Sequence, residues 1–260
     1  MSSTKSNLRL RVFAGPNGSG KSTIINAVRD HKVSEIPVDF GIYINADDLA
    51  NELSKRTVSF DKYQIKTTLE EFLSYTLSSG LINKSFTQED FLKTFSIDKN
   101  HITLLKPELN ERLAQIMADF LRKKLLTDVK KFSFETVFSH PSKIDIMKEA
   151  KAAGYKVYLY FVLTESPEIN KYRVKVRTQK GGHDVPEDKI EQRYFRSLEL
   201  MFDAAQIAYQ AYFFDNSKDG EDFKLFAHFK NVKGEKIWDP IVEENVPNWF
   251  IEYYSKKVKG

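Results

Sequence analysis

GPNGSGKST, residues Gly15 to Thr23, follows the apolar run Leu8–Ala14 and precedes a helix-forming stretch from Lys21 to Asp30. The stretch fits G-x-x-x-x-G-K-[ST] in the strand–loop–helix context that gives that pattern a physical meaning. Gly15, Gly18 and Gly20 let the backbone curl tightly. With Pro16, Asn17 and Ser19 they can then turn several N–H groups toward one anion. The helix that opens at Lys21 adds its positive dipole end. Lys21 is placed to reach β- and γ-phosphates, the Ser22 hydroxyl to ligate Mg²⁺, and Thr23 to complete the nest. These nine residues predict a seat for the phosphates of ATP or GTP, and they set the fold class. Strands must alternate with helices in a parallel sheet covered on both faces, a three-layer α/β/α P-loop domain.

The rest of the chain carries that alternation. GIYIN (Gly41–Asn45), FSFETVF (Phe132–Phe138), KVYLYFVL (Lys156–Leu163) and Tyr212–Phe214 read as strands rich in β-branched and aromatic residues. Pro141 to Gly154 reads as a helix with proline in its first turn and glycine at its end. Residues from about 50 to 130 interrupt the pattern with helical spacing, clearest in Leu109, Leu113, Ile116, Met117 and Phe120. No Pro/Gly-rich linker frames this stretch, which predicts a helical insertion within one domain. The basic run Arg122-Lys123-Lys124 reads as a solvated helix face. After about residue 218 the tail predicts a hairpin around Val232–Glu235 and a short helix near Trp249–Tyr254.

Composition narrows the classes. The 260 residues carry 40 basic and 36 acidic side chains, a net charge of +4, too even for a nucleic-acid stripe. There is no cysteine, which excludes disulfides, thiolate metal sites and cysteine nucleophiles. No apolar run approaches the ~18 residues of a membrane span. Met1 to Asn7 is polar and lacks the apolar stretch of a secretory signal, so cytoplasm is the expected compartment. D-x-x-G, N-K-x-D and L-S-G-G-Q patterns are missing, which disfavours switch GTPases and ABC ATPases. What remains is a small-substrate kinase, with a base near the acceptor hydroxyl and an arginine lid. A nucleotide-dependent binding or switch ATPase without an acceptor is the competing class.

Asp47 and Asp48 follow the second strand, where strand ends border the ligand crevice of an open α/β sheet. One can accept a hydroxyl proton or hold Mg²⁺ through water, and the other can cap the following helix. The reading gives Asp47 the catalytic and metal role and Asp48 the cap. Glu135 and Thr136 on the third strand, Ser139 beyond it and Asp48 are the candidate substrate-binding residues. A carboxylate among phenylalanines needs a partner, either a structural ion pair or a substrate hydroxyl. Arg173 and Arg177, four apart on one helix face, are followed by Gly181-Gly182-His183 and a second helix with Arg193 and Arg196. Two arginine-bearing helices over about 166–204 suit a lid that closes on a transferring phosphoryl group. The plainer reading leaves those arginines in solvent. Asn216, after the last strand, is a candidate for contact with the base.

AGPNGSGKST, INADDLA, FETVFSHPSK, GYKVYLYFV and RVKVRTQKGGHDVPEDKIEQRYFRSL together resemble the zeta toxin family of P-loop kinases, in its chromosomal branch of predicted ATPases. The likeness spans about residues 8 to 217. It implies a kinase using ATP or GTP with Mg²⁺. In toxin members the acceptor is the 3′-hydroxyl of UDP-N-acetylglucosamine. By that likeness Asp47 stands at the catalytic base, Lys21 and Ser22 at the phosphate loop, Glu135 at the substrate-facing acid, and Arg173 and Arg177 at the lid arginines. It implies one partner as well, a small antitoxin protein that blocks the nucleotide site.

Overall fold

A computed structural model describes residues 8–77, 79–182 and 184–259. The polar stretch Met1–Asn7 and His183 of the Gly-Gly-His turn lie outside the described residues. The chain divides into two compact units: Met1–Phe40 with Glu135–Gly260, and Gly41–Phe134. The class is α/β with a mostly parallel sheet. No helix among the described residues is long and apolar enough to cross a membrane.

In the first unit the P-loop strand, Arg9–Ala14, pairs in parallel with Lys156–Leu163, which pairs in parallel with Gln210–Asp215. Two antiparallel strands, Lys224–Val232 and Glu235–Trp238, extend the sheet as the hairpin expected at Val232–Glu235. Helices Ser142–Ala152 and Glu187–Ile207 pack on Lys156–Leu163, and Lys21–Asp30 packs on Arg9–Ala14. Alternation along each strand sorts side chains to two faces. Leu10, Val12 and Ala14 are fully buried with Leu159 and Phe161. On the alternate positions the register puts Phe13 beside Tyr160, Tyr160 beside Tyr212 and Tyr212 beside His228. Their rings stack in one row with centroids 4.7, 4.8 and 4.2 Å apart, and Phe40 continues it at 5.2 Å from Phe13. Cross-strand aromatic pairs of this kind fix register as well as burying area. The tail folds back through Trp249, Phe250 and Tyr254, which close over Phe213 and Phe226.

The strand Phe132–Thr136 begins in the second unit and ends in the first. Within the second unit its first three residues pair in parallel with Ile42–Ile44. The helix Ala46–Leu53 packs there on Asn110–Thr127, whose Leu113, Ile116, Met117 and Phe120 are fully buried. Two expectations for this region are corrected. The stretch is not purely helical: Thr57–Ser59, His101–Leu104 and Phe95–Asp98 form a three-stranded antiparallel sheet. Its hairpin turns at Lys99 and Asn100, φ 46° and 65°, the paired left-handed geometry of a two-residue hairpin without the usual glycine. Nor is the basic run wholly solvated. Arg122 is buried, bonded to Asp119 at 3.1 Å, with its guanidinium 5.3 Å from the Phe134 ring centre. Helical periodicity turns Arg122 inward, while Lys123 and Lys124 form ion pairs with Asp119 and Glu71.

Candidate functional site

The phosphate loop is fixed by close backbone packing. Gly15 has φ 155°, and a Cβ there would lie 2.2 Å from the Val162 carbonyl oxygen. Gly18, at φ 78°, would put a Cβ 2.6 Å from the carbonyl oxygen of Asn170. Neither obstacle is a mobile side chain, so glycine is required at both positions for space and for conformation. The Gly15 N–H donates to the Thr136 carbonyl at 3.3 Å, and Ser19 N–H donates to Pro16 O at 3.3 Å, which closes the loop on itself. The helix Lys21–Asp30 starts with no side-chain cap and no acid in its first turn. A helix opening that way presents backbone donors and a positive dipole end to an anion. Lys21, only 8% exposed, points its ammonium into the loop and donates to Pro16 O at 3.1 Å. Glu135 Oε1 stands 3.7 Å from the same nitrogen.

Around this loop lies a brace of side chains, part of which sequence reasoning missed. Asn170 Nδ2 donates to Asn17 O at 2.6 Å, and Arg193 donates to Asn17 Oδ1 at 3.0 Å. Asn216 Nδ2 donates to Ser19 O at 2.9 Å. Asn170 is itself held by the Thr164 hydroxyl, and Tyr194 donates to Thr164 O at 2.7 Å. Burial pushes the Tyr194 hydroxyl above its ordinary range, so it stays a donor at any physiological pH. The two helices expected as a lid, Pro167–Gln179 and Glu187–Ile207, thus grip the loop through Asn170 and Arg193. Asn170 carried no sequence signal of its own, since its burial shows only in the fold.

Arg173, expected as a lid arginine, is engaged beside the loop in this structure. Its Nε donates to Asp219 at 2.7 Å and one terminal nitrogen donates to Asn216 O at 2.7 Å. Asn216 in turn donates to Ser19 O, so these contacts link Arg173 to the loop and suit a positioning role as well as the lid role expected of it. Arg173→Ala is therefore expected to weaken nucleotide binding about three- to tenfold and to lower kcat by less than about tenfold, in line with loss of a charged hydrogen bond. Steady-state kinetics decide the matter, since a lid arginine on the transferring phosphoryl would instead lose about 10²-fold or more in kcat with binding intact. Arg177 is exposed at the last turn of its helix, with Gly182 packed against its side chain. Asn216 meets the loop backbone, and Gly20 packs on its amide.

In the second unit Asp47 and Asp48 are both exposed in the first turn of Ala46–Leu53. The cap is Asn45, whose Oδ1 accepts from Asp47 N at 2.8 Å, so the capping role expected of Asp48 belongs to Asn45. The charge of Asp48 reaches Tyr63 instead. Burial first, then Glu52 and Asp48, push that phenol above its ordinary range. Thr136 serves its own turn: its hydroxyl accepts from Phe138 N at 3.1 Å and is buried. Ser139 lines an open groove of about 290 Å³ with His140, Arg196 and Glu199. The His140 ring accepts from Ser142 N at 3.2 Å, at the start of the helix Ser142–Ala152.

Among the described residues no three His, Cys, Asp or Glu side chains cluster as a ready metal cage. The oxygen donors at the loop, the Ser22 hydroxyl and the Glu135 carboxylate, suit a hard cation that arrives with its phosphate and keeps most of its waters.

The loop and the mostly parallel sheet define the class, a P-loop α/β fold. A chain of the AvrRxo1-ORF1:ORF2 crystal structure with ATP superposes with a TM-score of 0.51 at 15% identity, over 96% of this chain and 63% of that one. That likeness establishes the fold. A chain from the PezAT chromosomal toxin-antitoxin system of Streptococcus pneumoniae aligns with a TM-score of 0.45 at 14% identity, over 81% of this chain and 69% of that one. No protein-family model matches the chain. By sequence it belongs to one family with an uncharacterized protein of Haemophilus influenzae (strain ATCC 51907 / DSM 11121 / KW20 / Rd). The two are 36% identical over 102 residues, 38% of this chain and 73% of that protein.

Proposed function

We propose that the chain is a phosphotransferase that moves the γ-phosphoryl group of ATP or GTP to a hydroxyl of a small acceptor. The observation that carries the reading is the braced loop, with the buried Lys21 ammonium turned into it beside Pro16 O. A loop held from three sides is a preorganised donor array for phosphate oxygens, which is most of what phosphoryl transfer asks of a protein. The ATP in the AvrRxo1-ORF1:ORF2 crystal structure, one chain of which has a like fold, supports the choice of nucleotide.

In this reading Lys21 neutralises β- and γ-oxygens, Ser22 and Asp47 serve Mg²⁺, Asp47 takes the acceptor proton, and Arg177 approaches the transferring group. Asp48, Glu135, Thr136 and Ser139 are the acceptor-side contacts. A UDP-N-acetylsugar is the first acceptor to try, on the strength of the sequence resemblance. A small antitoxin protein that covers the nucleotide site is the proposed partner. The cytoplasm, with its nucleotide pool, is the proposed compartment.

The test is incubation of purified protein with Mg²⁺ and γ-labelled ATP or GTP, first with UDP-N-acetylglucosamine and then with a metabolite extract. A labelled sugar nucleotide or other small product is the expected result. Label released only as inorganic phosphate under every condition would instead identify a nucleotide-hydrolysing switch and overturn the kinase reading.

A further inference from the structure

The sheet of the first unit covers its two faces unequally. On one face Trp249 reaches Phe161, and Tyr254 lies against both Phe213 and Phe202 of the helix Glu187–Ile207. The alternate side chains point to the other face. There the register sets Arg11, Tyr158, Gln210, Lys230 and Ile237 in one row across five strands, with Arg9 beside Lys156 nearer the strand starts. Toward the phosphate loop this face is closed, since Val162 and Phe214 are buried. Away from the loop it is open. Ile237 is 53% exposed, Val232 44%, Lys230 is exposed, and Arg9, Lys156 and Tyr158 are half-buried. An antiparallel hairpin can turn one face to water, but such a face is then polar. This one carries a valine and an isoleucine.

Charge narrows what can cover it. Arg9, Lys156 and Lys230, with Arg11 buried beneath them, have no carboxylate partner among the described residues. Arg11 spends its donors on Tyr160 and on Asp39 O, and Lys156 lies over the Tyr209 ring. The acids on this side are Glu235 and Asp239, and Asp239 is held by His228 at 2.8 Å. A second copy docked about a two-fold axis would set these cations against their own kind. Single-stranded nucleic acid needs free ring faces for its bases. Here Tyr160, Tyr212 and His228 stack on one another, with centroids 4.8 and 4.2 Å apart, so those faces are taken. We infer that this face docks an acidic amphipathic helix of another protein, with its apolar stripe on Val232 and Ile237 and its carboxylates on Lys230, Lys156 and Arg9. A helix about 10 Å across covers two strand spacings, enough to touch the isoleucine and the lysines together. It supplies the layer that a sheet in an α/β fold ordinarily has on each face. The surface lies at the strand ends opposite the phosphate loop, so this partner leaves the nucleotide seat open.

The experiment is fluorescence anisotropy of the intact chain with a labelled peptide of about 18 residues, leucines on one helical face and glutamates on the other. A scrambled peptide of the same composition and an oligouridine serve as the other probes. The patterned peptide is expected to bind at least about tenfold more tightly than the scrambled one, and to weaken as salt rises. Two double variants divide the surface. Val232→Asp with Ile237→Asp removes the apolar half, and Lys156→Glu with Lys230→Glu reverses the basic half. Each is expected to weaken the patterned peptide about tenfold or more. All four side chains are exposed or half-buried, so the fold should hold, and a circular dichroism melt checks that it does. Equal binding of the two peptides, or undiminished binding to either double variant, overturns the inference. So does oligouridine bound more tightly than the patterned peptide, which marks a nucleic-acid surface. A dimer in sedimentation that the variants dissolve overturns it too, in favour of contact between copies.

Discussion

Lys21→Ala should abolish measurable nucleotide binding at millimolar ATP with Mg²⁺ and reduce phosphoryl transfer by about 10³-fold or more, the scale on which phosphate-clamping charges act. The size follows from where the ammonium sits. It is almost fully buried, points into the loop and is held beside Pro16 O and Glu135. In such a place a single positive charge faces the phosphates with little screening, and no neighbouring lysine in the loop can replace it. The fold itself should tolerate the change less badly than the activity does, because the loop is held by Asn170, Arg193 and Asn216 and not by the lysine. Lys21→Met fills the same volume without charge and separates the loss of charge from the loss of packing. Calorimetry and a thermal melt on both variants check the pair. If either variant binds Mg-ATP within about threefold of wild type, a gap below 0.7 kcal/mol, the phosphate seat has been wrongly placed.

What could be read in advance was what is local in the chain. GPNGSGKST declares its strand–loop–helix geometry within nine residues, because each glycine answers a constraint set by the loop's own curvature. The helix after it, the strands Lys156–Leu163 and Gln210–Asp215, and the hairpin at Lys233-Gly234 follow from periodicity and turn chemistry in the same way. The brace could not be read, since Asn17 meets Asn170 and Arg193 across long stretches of chain that only the sheet order brings together. The partner of Arg173 was hidden for a related reason: its spacing from Arg177 shows which face it shares, not that Asp219 lies opposite. In the Gly41–Phe134 unit the strands are three or four residues long and turn on Lys99-Asn100 instead of a glycine pair, so their signal lay below that of the helices around them. Arg122 shows the limit of charge patterning. A ring and an aspartate at the right turn of a helix suffice to bury a cation that composition assigns to solvent.

Asp47→Asn should lower kcat by about 10²- to 10⁴-fold, the usual contribution of a positioned general base, and leave Mg-ATP affinity within about threefold. The local structure makes this a clean substitution. Asp47 is exposed, and the hydrogen bond it contributes to its helix runs from its backbone N–H to Asn45, so an amide side chain leaves the cap intact. The lost charge in the first turn is expected to cost about 0.5 kcal/mol of helix stability, softened by Asp48 beside it. The same variant separates the two tasks proposed for this carboxylate. If Asp47 only steadies Mg²⁺ through water, more Mg²⁺ should restore kcat to within about tenfold, with the half-saturating concentration raised. If Asp47 takes the acceptor proton, saturating Mg²⁺ leaves the deficit in place, because a neutral amide has no vacant basic site at any metal concentration. A variant that transfers phosphate at the wild-type rate in ordinary Mg²⁺ removes Asp47 from both roles.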